Sequence, residues 1–244
     1  MKNNLKAVIL AGGKGTRLYP ITYEIPKPLL PVRRKPIINY LIELFVSFGV
    51  KDIFVLINRD FREEFNWWKK RYFPSSLRSS GQVPSIEFIE ETEPLGTFGG
   101  LWHLKSKLKG SDFFVTNGDE LKKINLKKMV DFHKKQKLAA TIALVKVPNP
   151  EDYGVVVTEN DLVKEFLEKP KNPPSNYINS GLYLFTNEIF KYHPGPKPLM
   201  IEKDLFPGLA KERKLAGFKF QGEWSKWTDT GTWERYESAI KNWK

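Results

Sequence analysis

Short apolar runs alternate with longer stretches whose apolar residues fall at helical spacing. Leu5 to Leu10 is a β-branched apolar run that stops at Gly12-Gly13, which predicts a buried strand feeding a glycine loop. Pro36 to Phe48 places Ile37, Leu41, Leu44, Phe45 and Phe48 on one helical stripe, with Gly49 as its C-terminal stop. Strands follow at Asp52 to Ile57, Ile86 to Ile89 and Phe113 to Thr116, with helices at Gly99 to Leu108 and Leu126 to Gln136. The second half changes rhythm. Ala140 to Val147, Gly154 to Thr158, Leu162 to Glu168 and Ser180 to Phe185 read as successive strands. Strand–helix alternation implies right-handed crossovers and an α/β fold built on a mostly parallel, doubly wound sheet, and the later strands imply antiparallel additions. No fixed-period repeat interrupts the pattern. Lys169 to Pro174 and Pro194 to Pro198 are loops too short to link domains, so a single domain over residues 1–244 is expected.

Composition narrows the class. Among 244 residues there is no cysteine, which excludes thiol nucleophiles, disulfides and thiolate metal centres, and three scattered histidines (His103, His133, His193) cannot build a His-rich metal site. The longest apolar run, Leu41 to Val50, falls short of the roughly 20 residues of a membrane span. Ala7 to Ala11 is too short for a secretory signal, with Lys14 and Arg17 close behind, so a cytoplasmic protein is expected. The formal net charge of +12 fits either nucleic acid or a small phosphorylated substrate. Much of that charge reads as solvated helix face, as in Lys69, Lys70, Arg71 and the run from Lys122 to Lys137. Trp67-Trp68-Lys69-Lys70-Arg71 interleaves aromatics and cations as single-strand binders do. However, Phe61, Phe65, Trp68 and Tyr72 fall on one helical stripe, which favours packing, with a homo-oligomer contact as the second reading.

The first chemical feature is Leu10-Ala11-Gly12-Gly13-Lys14-Gly15-Thr16-Arg17. Glycines after a buried strand let backbone N–H groups turn toward an anion. The ATPase P-loop would need glycine at Val8 or Ile9, and the dinucleotide fingerprint would need a small residue where Leu18 stands. Arg17 and Lys27 add two cations to the loop, a combination that suits a triphosphate better than a plain turn.

This segment, with Pro20, Thr22, Pro26-Lys27-Pro28-Leu29, Pro36 and Tyr40, resembles the signature of sugar-1-phosphate nucleotidyltransferases. The resemblance continues in order through Glu93-Pro94-Leu95-Gly96-Thr97, Asn117-Gly118-Asp119, Tyr153-Gly154-Val155, Glu168-Lys169-Pro170, Asn179-Ser180-Gly181, Glu202-Lys203-Asp204 and Trp227-Thr228-Asp229-Thr230-Gly231-Thr232. It implies a Rossmann-like fold of the GT-A type, without the C-terminal β-helix of bifunctional members. It also implies the reaction of an NTP with a sugar 1-phosphate to give a nucleotide sugar and pyrophosphate. The attacking phosphate oxygen is already anionic, so the chemistry needs positioning and charge neutralisation rather than a general base.

The same resemblance distributes roles. Arg17 and Lys27 become the catalytic cations on the triphosphate. Leu10, Ala11, Gly12, Gly13, Gly15, Thr16, Glu91, Gly96 and Thr97 become NTP-binding. Asp119 and Asp229 become ligands of Mg²⁺, a hard cation that takes one or two carboxylates beside phosphate oxygens. Tyr153, Gly154, Glu168, Lys169, Asn179 and Gly181 become the sugar-phosphate site, with Lys169 on the phosphate and Glu168 on sugar hydroxyls. Glu202 and Asp204 stand between substrate contact and capping of the next helix.

The block from Glu91 to Thr97 resembles the guanylyltransferase version, since a glutamine tends to stand at the Glu91 position in thymidylyl members. An ionised carboxylate accepts two parallel N–H bonds, and guanine offers N1–H and N2–H side by side. GTP with mannose 1-phosphate is therefore expected, with dTTP or UTP plus glucose 1-phosphate as the alternative. Two other classes stay open: a non-catalytic regulatory domain of this fold, and a basic nucleic-acid-binding protein. Retention of Arg17, Lys27, Asp119 and Asp229 speaks against the first, and the absence of a nucleic-acid motif against the second.

Overall fold

The computed structural model describes residues 5–74, 84–222 and 225–244. Its contacts divide the chain into two units, one made of Met1–Pro94, Thr116–Lys123 and Lys226–Lys244, the other of Leu95–Val115 and Ile124–Ser225. The second division between them, after Val115, falls inside the strand Phe113–Asn117.

In the first unit, strand Lys6–Ala11 pairs in parallel with Asp52–Asn58, which pairs in parallel with Ser85–Glu91. Ile53 to Ile57 are all buried, as expected of a parallel strand covered on both faces. Helix Ile37–Ser47 lies on the first connection and buries Ile37, Ile38, Leu41, Ile42 and Phe45. Its stop is a Schellman turn: Gly49 has φ of 91°, its N–H donates to the Val46 carbonyl at 2.9 Å, and Val50 N–H donates to Phe45 at 3.0 Å. Helix Arg62–Tyr72 lies on the second connection and buries Phe65 and Trp68, so the Trp67-Trp68 segment is a packing helix. The Trp68 indole N–H donates to Asn39 Oδ1 at 2.7 Å, which ties the two helices together. Two short strands, Glu120–Lys123 and Lys226–Asp229, form an antiparallel ribbon that the sequence pattern does not reveal. Helix Trp233–Asn242 contributes Tyr236 and Ala239, and Trp243 just after it joins them, in a cluster with Leu18, Leu30, Val32, Ile37 and Leu121.

The second unit is mixed. Strand Tyr177–Phe185 runs antiparallel to Ala140–Lys146, and Leu215–Lys219 joins the latter in parallel. Gly154–Glu159 and Leu162–Glu168 form a hairpin whose turn residues, Asn160 and Asp161, have φ of 47° and 67°, matching the right-handed twist of the strands. The helix expected over Gly99 to Leu108 is instead broken into a turn at Gly96–Gly99, a 3₁₀ segment at Gly100–Leu104 and a turn at Lys105–Leu108. The cause is local. Gly96 has φ of 73°, and Phe98 and Gly99 N–H both donate to the Leu199 carbonyl, at 2.9 and 3.1 Å, instead of serving a helix.

Helix Leu126–Gln136 matches its expected span, and Asn125 Oδ1 caps it by accepting from Lys128 N–H at 3.0 Å. On its inner face His133 is buried, with Nδ1 2.7 Å from Thr141 Oγ1. Burial holds the His133 pKa below its ordinary value. As pH falls below about 6.5 the unfolded chain takes up a proton that the folded chain resists, so stability present at neutral pH is lost toward the lowered pKa. Buried His193, also lowered by burial, adds to the same slope. His133→Gln is expected to flatten the fall in urea-unfolding free energy below pH 6.5, and an unchanged slope would remove His133 as a source.

Candidate active site

The first unit gathers its candidate residues at the carboxyl ends of its parallel strands, where open α/β sheets bind ligands. Leu10 and Ala11 close the strand Lys6–Ala11, and Gly12 to Gly15 turn the chain into the Thr16–Leu18 turn. Gly15 has φ of 64°, and the Thr22 hydroxyl donates to its carbonyl at 2.9 Å. Gly13 faces open space. Gly12 packs so closely on Glu91, the last residue of Ser85–Glu91, that a Cβ there would lie 2.6 Å from Glu91 Oε2. The Glu91 carboxylate is thus set against the glycine loop.

Asp119 sits in the turn after Phe113–Asn117, where Gly118 N–H donates to the Leu10 carbonyl at 2.9 Å. The buried Lys27 ammonium donates to Asp119 Oδ2. Burial works to raise the Asp119 pKa, but the charge and hydrogen bond of Lys27 outweigh it and hold the carboxyl below its ordinary range. Thr230 donates to the Asp119 carbonyl through its hydroxyl at 2.9 Å and its N–H at 3.3 Å. Asp229 stands opposite Glu120 in the ribbon. Its Oδ1 accepts from Gly231 N–H at 2.8 Å and Arg235 Nη1 at 3.4 Å. A Cβ on Gly231 would lie 2.7 Å from Asp229 Oδ1 and 3.4 Å from Arg17 Nη2, so Arg17 and Asp229 converge on that glycine. No group of three or more His, Cys, Asp or Glu able to hold a metal ion occurs among the described residues. Asp119 precedes Glu120, the residue opposite Asp229 in the ribbon, and the carboxylates of Asp119 and Asp229 are of the type that could hold a hard divalent cation.

Beside Asp119 lies a buried polar network that the sequence pattern conceals. Glu120 accepts from Asn117 Nδ2 and Trp227 Nε1, each at 2.7 Å, and pairs with Lys122 at 3.3 Å. Lys122 also donates to Thr116 Oγ1 at 2.9 Å. The expectation that Lys122 begins a solvated run is corrected here, because its side chain is fully buried. Burial raises the Glu120 pKa and lowers that of Lys122. The alternation in Glu120-Leu121-Lys122 with Trp227 downstream was the available signal, but only the tertiary structure reveals that all three residues are buried.

The second unit holds the other group. Gly96 abuts the Leu199 carbonyl, 2.5 Å from where its Cβ would stand. The Thr97 hydroxyl donates to Glu202 Oε2 at 2.9 Å and accepts from Ile201 N–H at 2.8 Å. Tyr183 OH donates to Glu202 Oε1 at 3.1 Å and accepts from Asn179 Nδ2 at 2.8 Å, while Gly181 N–H donates to Asn179 Oδ1 at 2.8 Å. Tyr183 is the member of this chain missed from sequence. Burial, helped by the like charge of Glu168, raises the Glu202 pKa. Asp204 does the capping instead, its Oδ2 accepting from Met200 N–H at 2.6 Å. Glu168 stands opposite Gly154 in the hairpin, and Lys169 N–H donates to the Tyr153 carbonyl at 3.0 Å. Lys169 has φ of 48° and an exposed ammonium 4.0 Å from Glu168 Oε1.

The architecture is that of an α/β protein with a strand-end glycine loop, and residues 6–244 match the family described as Nucleotidyl transferase. The chain belongs to that family, as the resemblance implied. A mannose-1-phosphate guanyltransferase of Saccharomyces cerevisiae is 38% identical over 228 residues, covering 90% of this chain and 60% of its own length. The chain spans about 60% of the length of the curated relatives it matches. A protein assigned as a glucose-1-phosphate thymidylyltransferase from Bacillus anthracis, solved with sucrose, superposes with a TM-score of 0.85 at 28% identity, covering 97% of this chain and 94% of its own. HddC from Yersinia pseudotuberculosis, complexed with GMP-PN, has a TM-score of 0.78 at 27% identity, covering 98% and 99%.

Proposed function

We propose that this chain transfers a nucleotidyl group from an NTP to a sugar 1-phosphate and releases pyrophosphate, with GTP and mannose 1-phosphate as the preferred pair. The reading is carried by the convergence, in one unit, of the glycine loop, Glu91, Arg17, Lys27, Asp119 and Asp229. Loop amides and Arg17 bind the triphosphate. Lys27, which donates to Asp119, is the second cation available to the phosphates. Mg²⁺ on Asp119 and Asp229 would supply charge neutralisation at the phosphate oxygens. In the second unit Lys169 takes the sugar phosphate and Glu168 the sugar hydroxyls, while Asn179, Gly181, Tyr153 and Gly154 shape that site. Gly96 and Thr97 are assigned to the NTP, and the Thr97 hydroxyl also orders Glu202.

The base assignment rests on Glu91, whose carboxylate faces the loop and can accept both guanine donors. A thymidylyl or uridylyl reaction on glucose 1-phosphate is the second reading, favoured by likeness to the Bacillus anthracis protein. Pyrophosphate release over a grid of NTPs and sugar 1-phosphates tests both. The expected result is fastest release with GTP and mannose 1-phosphate, and a tenfold to hundredfold loss of the GTP preference in Glu91→Gln, roughly the 1–3 kcal/mol of one bidentate base contact. A wild type that prefers dTTP or UTP, or a preference unmoved by Glu91→Gln, overturns the guanine assignment. No release with any pair overturns the reaction itself.

A further inference from the structure

Strand Tyr177–Phe185 departs from regular pairing where it carries its polar residues. Its register against Ala140–Lys146 shifts between Asn179 and Tyr183, and Gly181 within the shift has φ of 61°. In a regular strand, residues four apart stand about 13 Å from each other, at roughly 3.3 Å per residue. Here the irregularity brings the two side chains together, with Asn179 Nδ2 at 2.8 Å from Tyr183 OH. Irregularities of this kind re-aim side chains beside functional sites.

The direction of every bond in this chain is fixed from its two ends, because a backbone N–H can only donate. Gly181 N–H donates to Asn179 Oδ1, so the carboxamide turns its Nδ2 toward Tyr183. Tyr183 OH therefore accepts there and gives its single proton to Glu202 Oε1 at 3.1 Å. From the other end, Ile201 N–H donates to Thr97 Oγ1, whose own proton goes to Glu202 Oε2. The two arms converge on one carboxylate with a donor on each oxygen, which suits its ionised form. Tyr183 is 0% exposed, so it cannot touch a ligand and acts through its partners. Its ring is set by Phe185, stacked at 5.6 Å, and by Phe206, edge-on at 5.1 Å. Asn179 is only half-buried, and beyond these bonds its carboxamide has one Nδ2 hydrogen and one Oδ1 lone pair. A donor beside an acceptor suits a sugar hydroxyl, and a carboxamide rotated by 180° would exchange the two.

We propose that Tyr183 and Glu202 are positioning residues for the sugar 1-phosphate, holding the Asn179 carboxamide in one of its two orientations and tying it to Thr97. This rests on the reading that places Asn179 in the sugar-phosphate site. Pyrophosphate release with the substrate pair that wild type uses fastest gives the KM of each substrate at saturation of the other. Tyr183→Phe keeps the packed ring and removes only the hydroxyl. It is expected to raise the sugar 1-phosphate KM about tenfold, the scale of leaving one polar partner unmet, while the NTP KM stays within twofold. Glu202→Gln, which sets a donor amide against a hydroxyl that already donates, is expected to raise the sugar 1-phosphate KM as well. In an Asn179→Ala background, adding Tyr183→Phe should raise that KM no further, because Tyr183 acts through Asn179. Circular dichroism checks folding, and if Tyr183→Phe does not fold, Glu202→Gln with and without Asn179→Ala gives the same comparison. A sugar 1-phosphate KM unchanged in both variants, equal rises in both KM values for Tyr183→Phe, or a full further rise in the Asn179→Ala background overturns the proposal. An unchanged KM in Asn179→Ala alone overturns the site assignment, and this inference with it.

Discussion

Asp119→Asn is expected to cut turnover by about a hundredfold to a thousandfold, the scale of losing one group that stabilises charge in the transition state. Asparagine keeps the size of the side chain and can still accept from Lys27, but it removes the anion that Lys27 holds and that a divalent cation would require. The main-chain carbonyl of residue 119 still accepts from Thr230, so the turn should survive. Pyrophosphate release at limiting Mg²⁺, alongside a thermal melt, separates loss of chemistry from loss of fold. A variant that melts like wild type and turns over within a few-fold of it would remove Asp119 from the site.

The largest effect on stability is expected from Trp68→Ala, about 3–5 kcal/mol by the usual cost of emptying an aromatic core position. Trp68 is 1% exposed, packs edge-on to Phe65 at 6.2 Å and against Phe73 at 5.5 Å, and donates to Asn39. Its removal leaves a cavity and strips the Asn39 carbonyl of its donor. Trp67→Ala, one residue earlier but 64% exposed, should stay within about 0.5 kcal/mol of wild type. Urea unfolding of the two variants is the check. Equal destabilisation would mean that both indoles belong to the core.

That contrast also shows what a sequence can carry. The stripe of Phe65 and Trp68 was legible because helical spacing alone places them together, and the parallel strands because β-branched runs of the right length need burial on both faces. The Gly49 stop was legible because glycine enters the left-handed conformation after a helix at the least cost. Glu120 and Lys122 were opaque for the opposite reason. In a chain with 40 Lys and Arg, a lysine next to others looks solvated, and only a partner strand more than 100 residues away turns it inward. The helix over Gly99 to Leu108 failed similarly, since the Leu199 carbonyl that captures its N–H groups is about 100 positions distant. For the site, the residue types at Gly12, Lys27, Asp119 and Asp229 were readable from motif, whereas their contacts were not. The set of Glu91 against Gly12 and the Thr97–Glu202–Tyr183–Asn179 chain of hydrogen bonds emerge from tertiary pairing alone.

The division of the chain also imposes an order in time. The second unit is nearly continuous, interrupted between residues 95 and 225 only by Thr116–Lys123, whereas the first is assembled from three separated stretches. A ribosome therefore delivers the glycine loop, Lys27 and Asp119 long before Asp229, which arrives in the last of those stretches with the strand and helix that follow Ser225. Until then the strand Glu120–Lys123 has no ribbon partner, Lys122 and Glu120 lack the Trp227 cover, and Leu18, Leu30 and Val32 wait for Tyr236 and Trp243. A chain stalled at Ser225 would hold the loop and one aspartate but not the second. Asp229 and the cover of Glu120 therefore come only with the third of these stretches.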